Sequence, residues 1–454
     1  MAPDAASAKA GTSLANQSKW VSVGTNDEAL WGECKGSGKK PYQTQVELAS
    51  CTSRCSCPSR KFPCKHALGL LFLYADQIAP LTSPGTPPQW VQEWLQGRKE
   101  RATKKEERAE KQAQAKAADP EKQAVQLAKR QKKRWDNIQT GTQELQRWLV
   151  DQFEQGFASF SSAHTEQWRN MAARMVDAQA PGLGRMLLEA LNTMEAGADY
   201  QQDAIEQLGL IQLLVSATLR QDELPPTVQA DVRTALGWPI EKEEIVGNPQ
   251  QQAPAITDQW LVMGQTTQEV DSRLTERRIW LYGQNTHQYA LLLDFAYKGQ
   301  GLDWSWNNQF CYDAALAYYP SQSPLRALVI EQKAQAQENN WPVISAKESI
   351  DLAAAMFAAT PWLVRVPVLL CNVKLLRQDD QWLVQTDEGY YKAKIIDNEA
   401  WQLMAFSGGH SIHIFAEWDG QALNPLSARM ISLDNSSATE EQTFWTQTQR
   451  GANT

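Results

Sequence analysis

The sequence predicts a multidomain α+β protein: a small ββα-type module built round a cysteine cluster, an α-helical middle domain, and a mostly antiparallel β domain at the C-terminus. Three observations carry this. Cys55, Cys57, Cys64 and His66 crowd together just ahead of an apolar run. Over residues 137–238 the apolar positions recur at helical spacing. Over 257–434 they alternate in short runs broken by hairpin turns. A charged run at 97–136 and a Glu-, Gln- and Pro-rich stretch at 239–256 separate the three units as linkers.

The chain has 454 residues, enough for two to four domains. A hydrophobic content of 42% supports real cores. Residues 1–16 are small and polar and read as a flexible tail, as do residues 435–454. The N-terminus has no apolar core of a signal peptide, and no apolar run approaches the ~20 residues that cross a bilayer. Cysteines concentrated in one cluster fit a reducing compartment. The expectation is a cytoplasmic protein with no membrane association.

The first unit, 17–96, opens with short strands. Val21 and Val23 alternate, then Ala29 and Trp31, then Val46 and Leu48, with turn residues between them. Cys55-Ser56-Cys57 and Cys64-Lys65-His66 follow as two paired-ligand knuckles. On extended chain, positions i and i+2 face the same way, so Cys55 and Cys57 can share one ion. Ala67, Leu70, Leu71 and Tyr74 keep helical spacing, so the second knuckle opens a helix whose N-terminal dipole favours thiolate. Three thiolates and an imidazole complete a tetrahedral set for one structural zinc ion. Four protein ligands leave no open position for water, which disfavours a catalytic zinc. Cys51, four residues before Cys55, is an alternative first ligand. Arg60, Lys61 and Lys65 stand nearby to offset the negative cluster. Cys34, Cys311 and Cys371 read as buried thiols.

This C-x-C, short gap, C-x-H pattern ahead of an apolar helix resembles the SWIM-type zinc finger of bacterial proteins. The run from Trp31 to Tyr42 is similar to the hairpin that precedes the knuckles in that family. Weaker likeness extends to residues 173–182 and to Ser407-Gly408-Gly409-His410. The resemblance implies Cys55, Cys57, Cys64 and His66 as the zinc ligands. It further implies partnership with MoxR-type AAA+ ATPases and von Willebrand A-domain proteins, and it leaves DNA and protein both open as ligands.

Residues 97–134 carry 14 basic and six acidic side chains, about +8 in a chain whose net charge is −8. Strong helix formers without an apolar stripe predict a solvated helical linker. Asp119-Pro120 divides it. Thr140 with Gln143 predicts a capping box that opens the helical domain. Further helices are predicted around Trp168–Met175 and over 183–195, 199–221 and 225–236. In the β domain, hairpins are predicted at 283–286, at Asp379-Asp380 and at Asp419-Gly420. Ser345 and Glu348 cap one interrupting helix.

No phosphate-binding glycine loop and no nucleophile elbow occurs. His410 and His413 fall on opposite faces of a strand, and Ser407–His410 reads as a strand-entry turn. The expected function is non-enzymatic: a zinc-binding protein-interaction or scaffold protein. The alternative is nucleic-acid binding by the zinc finger together with the basic linker.

Overall fold

The structure, a computed structural model, describes residues 5–36, 40–48, 52–59, 63–75, 87–100, 120–155, 162–195, 200–238, 240–246, 255–270, 274–297, 306–333, 337–338, 341–431 and 444–447. The three expected units are present.

The N-terminal unit starts earlier than the sequence predicts. Within the expected flexible tail, α1 (Ala5–Thr12) packs on the zinc-module helix α2 (Lys65–Ala75). The contact is close because both helices offer glycine: a Cβ on Gly69 would lie 2.7 Å from the Leu14 Cβ and 3.2 Å from the Gly11 carbonyl oxygen. Small residues without an apolar stripe do not announce a packed helix, so composition alone predicts a tail there. Strands β1 (Trp20–Thr25), β2 (Ala29–Cys34), β3 (Tyr42–Glu47) and β4 (Ser53–Cys55) form an antiparallel sheet in chain order. Successive side chains leave β2 on opposite sides. Leu30 and Cys34 face α2, while Ala29 and Trp31 face α3, a helix over residues 89–100 that presents Trp90, Val91, Trp94 and Leu95. Arg98 and Lys99, counted with the basic linker, are ion-paired to this module through Glu47 at 2.9 Å and Glu28 at 2.7 Å.

The middle unit is a ring of four long helices: α4 (Pro120–Gln155), α5 (Ser162–Asp177), α6 (Pro181–Glu195) and α7 (Tyr200–Leu219), with α4 closing on α7 and the shorter α8 (Pro226–Ala235) beside α7. Ile138, Leu145, Leu149, Trp168 and Met175 fill the ring. The expected boundary between linker and domain at 136/137 is not there, because α4 runs straight through it. Thr140 is mid-helix and donates its hydroxyl to the Asp136 carbonyl at 2.8 Å instead of capping. Good helix formers precede it without a break, and Trp135 already packs on the bundle, 6.1 Å from Trp238.

In the stretch expected as the second linker, the short helix α9 (Lys242–Val246) buries Ile245 against Ala317 and Tyr319. Strands β5 (Ile256–Glu269), β6 (Leu274–Gly283), β7 (Tyr289–Tyr297), β8 (Phe310–Tyr318), β9 (Ala327–Gln332) and β10 (Gln337–Glu338) make one six-stranded sheet. After α10 (Ala346–Ala359), β11 (Val366–Gln378), β12 (Gln381–Thr386) and β13 (Gly389–Ala393) lead into α11 (Asp397–Ser407). Strands β14 (Ile412–Trp418), β15 (Ala422–Met430) and β16 (Phe444–Thr446) complete the second sheet. The Asp379-Asp380 turn takes φ of 46° and 61°, the left-handed pair that a tight hairpin needs. Ser345 caps α10 by accepting from the Glu348 N–H, 3.2 Å away.

Two features here differ from expectation. Ser407–His410, expected as a strand-entry turn, instead ends a helix: Gly408, at φ 58°, is the left-handed cap of α11. Part of the expected C-terminal tail, β16, pairs with β15 and buries Trp445.

The helical and β units touch through a buried carboxylate. Asp231 of α8 accepts from the Gln322 N–H at 2.9 Å and from the Thr360 hydroxyl at 3.2 Å. Trp362 donates to the Leu210 carbonyl at 3.3 Å. No helix among the described residues is long and apolar enough to cross a membrane.

Candidate metal centre

Strand pairing places the first ligand. Cys55 closes β4 directly opposite Thr44 of β3, and the Ser56 N–H donates to the Gln43 carbonyl at 2.9 Å, so the chain turns at a defined point. The bend that follows returns Cys57 to the same side. Cys64 sits at the start of α2, its carbonyl accepting from the Leu68 N–H at 3.0 Å, and His66 lies in the first turn. The N-terminal helix end supplies unpaired N–H groups, and that of Ala67 points at the Cys64 sulfur. Backbone N–H groups of Cys57 and Ser59 serve Cys55 and Cys57 in the same way.

The Sγ atoms of Cys55, Cys57 and Cys64 and a ring nitrogen of His66 all lie within 4.8 Å of one another. His66 Nδ1 is 3.8 Å from Cys55 Sγ and 3.9 Å from Cys64 Sγ. A tetrahedron with Zn–S near 2.3 Å and Zn–N near 2.0 Å has edges of roughly 3.5–3.8 Å, so these spacings suit one ion at the centre. Cys64 and His66 are buried, and Cys55 and Cys57 half-buried.

The protonation pattern fits a cation. A hydrogen bond from Cys55 pushes the Cys64 thiol down to about 4, helped by His66 and the Ala67 N–H. The same bond, with burial, raises Cys55. Burial raises Cys57. Within the cluster one thiol is thus pushed toward thiolate while its neighbours are held toward the protonated form. A divalent cation replaces those protons, so binding releases them. The four groups fit one structural zinc ion. Held by four protein groups, such an ion would have no open position and would clamp β4 and the knuckle to α2.

Residues 42–75, which contain all four groups, match the SWIM zinc finger family. This unit is a SWIM zinc finger. Residues 133–236 match the SWIM-associated four-helix bundle domain, which coincides with the ring from the C-terminal half of α4 to α8. No curated protein and no solved structure matches the chain.

Two neighbours of the SWIM site were not legible in advance. Thr44 Oγ1 lies 3.1 Å from Cys55 Sγ, and the Tyr42 ring sits 5.0 Å from the His66 ring. Cross-strand register brings both there, and no local sequence signal encodes it. Cys51, Arg60 and Lys61 lie outside the described residues. Cys34 is buried, with its thiol directed at the Lys19 and Lys35 carbonyls. Cys311 is buried and Cys371 half-buried. His413 Nδ1 accepts from the Asn372 N–H at 3.3 Å, and His410 is exposed. Among the described residues, the SWIM site is the only cluster with metal-binding potential.

Proposed function

We propose that this chain works without catalysis, as a zinc-stabilised scaffold that holds partner proteins. The observation that carries the reading is the outer side of the bundle. Helix α7 buries Leu208, Ile211, Leu214 and Val215 in the ring, yet it also exposes Ile205 (60%) and Leu213 (45%). Beside it, α4 exposes Val150 (51%), and a groove of about 460 Å³ runs between the helices, lined by Leu149, Val150, Phe153 and Gln212. A helix that is apolar on both sides presents one of them to a partner. A zinc with four protein ligands offers no site for substrate, which supports a structural role.

The resemblance to bacterial SWIM proteins makes a MoxR-type AAA+ ATPase and a von Willebrand A-domain protein the partners of choice. The test is binding of each purified candidate to the full chain, wild type against Ile205→Asp with Leu213→Asp. Loss of binding in the variant with an unchanged melting temperature supports the reading. Equal binding sinks it.

A second reading keeps nucleic acid as the ligand of the SWIM finger and linker. Lys129, Arg130, Lys132 and Lys133 are all exposed on α4. Changing these four and Arg134 to Gln should abolish low-salt duplex binding if that reading holds.

A further inference from the structure

Each of the two β sheets curls into a ring. In the first, β5 pairs with β6 and β8, β6 with β7, and β8 with β9, all antiparallel. Leu291 of β7 then bridges Arg326 in parallel at the start of β9, and its N–H donates to the Leu325 carbonyl at 2.7 Å. In the second, β11 pairs with β12 and β14, β12 with β13, and β14 with β15, again antiparallel. Lys392 and Ala393 of β13 close this ring in parallel on Ala422 and Leu423 of β15.

The two rings share one plan. Numbered along the chain within each ring, the spatial order is 1-2-3-5-4 and back to 1, with the parallel contact between strands 3 and 5. In both, strand 1 is long and divided: its first part pairs with strand 4 and its last part with strand 2. This is a five-stranded Greek-key barrel of OB type, present twice in tandem. Such barrels take ligands on the outer face around strands 2 and 3.

The tandem arrangement consumes one of these faces. Trp280 and Tyr282 of β6 with Tyr289 and Leu291 of β7 pack into the core shared with the second barrel, where Tyr289 stacks 6.1 Å from Phe415. The equivalent face of the second barrel carries no such cover from the first. There Lys374, Gln385 and Tyr390 lie in one row across β11, β12 and β13, and Leu376, Leu383 and Lys392 in the next. Tyr390 is 60% exposed, both lysines are exposed, and the two leucines are half-buried outside the core.

Charge names the occupant. Strands β11, β12 and β13 contain Lys374, Arg377 and Lys392 and no acidic residue, in a chain of net charge −8. The acids are confined to the Asp379-Asp380 and Asp387-Glu388 turns. Arg377 is committed elsewhere, to Asp380 at 3.0 Å and over the rings of Trp382 and Trp401. Lys374 and Lys392 make no ion pair among the described residues. An aromatic ring flanked by unpaired cations, with an apolar floor, suits bases that stack and phosphates that need neutralising. Closure of the ring leaves no strand edge here for an added peptide strand.

We propose that the outer face of β11–β13 binds single-stranded nucleic acid, with Tyr390 stacking on a base and Lys374 and Lys392 holding phosphates. A duplex keeps its bases stacked on each other and cannot use Tyr390, so single strands bind more tightly.

The test uses the full chain and a fluorescent oligothymidylate of about twelve nucleotides, within the site sizes of such folds, read by anisotropy across a salt series. Tyr390→Ala should weaken binding about tenfold, the order of one lost stacking contact. Lys374→Gln with Lys392→Gln should reduce the salt slope by about 1.4, at ~0.7 per phosphate contact on a single strand. The duplex of the same length should bind more weakly. The proposal is overturned by unchanged affinity in Tyr390→Ala, by equal duplex affinity, or by binding lost only when the α4 lysines are changed. Absence of oligothymidylate binding at low salt overturns it as well and leaves the face to a protein or a glycan.

Discussion

Glu417 of β14 receives the Arg278 guanidinium of β6 in a two-point contact, Nε to Oε1 at 2.8 Å and an Nη to Oε2 at 3.1 Å, across the junction of the two barrels. Trp280 adds its indole N–H to Oε1 at 2.9 Å. The side chains are 8% and 4% exposed. A buried pair is costly to break from one side, because the remaining charge is stranded. Arg278→Ala should therefore destabilise the β unit by about 3–5 kcal/mol. Arg278→Met combined with Glu417→Gln should cost less than Arg278→Ala alone. Urea unfolding followed by tryptophan fluorescence decides it; a loss under about 1 kcal/mol, the range of exposed pairs, would show the contact is open to water.

The same carboxylate sets a pH dependence. Burial pushes Glu417 upward, but the Arg278 hydrogen bonds and charge, with Arg365 and the Trp280 N–H, outweigh it and hold it below the ordinary carboxylate range. A carboxylate depressed in the native state contributes stability that is present above its unfolded pKa and lost as pH falls through the native value. Stability of the β unit should therefore fall as pH drops below about 4, the region of an unperturbed glutamate. The gap between wild type and Glu417→Gln should shrink over the same window. A gap that stays constant from neutral pH into that range would refute the assignment.

Zinc should be found at one ion per chain and should fall away in Cys55→Ser, while Cys51→Ser keeps it. Zinc binding supplies ~10 kcal/mol or more to small modules of this kind. Chelation should open residues 20–75 to protease and leave the bundle and barrels resistant. Collapse of all three units together would show that the finger is docked into the rest.

Glycine positions separate packing from propensity. A Cβ on Gly182 would sit 1.8 Å from the Ala235 carbonyl oxygen, so Gly182→Ala should cost about 3 kcal/mol, the upper range for overpacking. Gly209 of α7 has nothing within 4 Å, so Gly209→Ala should stabilise by about 0.5–1 kcal/mol through helix propensity. Circular dichroism melts of the two variants should move in opposite directions.

Much of this protein was legible in local sequence. The ligand spacing of Cys55, Cys57, Cys64 and His66 names its metal because coordination chemistry tolerates few alternatives. The helices of the bundle and the Asp379-Asp380 and Asp419-Gly420 hairpins follow from periodicity and turn chemistry, which act over a few residues. The run of α4 through residues 136 and 137, the helix α11 and the packed ends at α1 and β16 were not legible, because distant contacts stabilise them: Trp135 against Trp238, Gly11 against Gly69, Trp445 under β15. The largest decision left to tertiary structure is the closure of the strands into two barrels. Alternation along β5 or β11 says that a strand has two faces. Which face meets the core, which is spent on the neighbouring barrel and which stays open with Tyr390 and Lys374 depends on pairing between residues such as Lys392 and Ala422, whose distance along the chain carries no local signal.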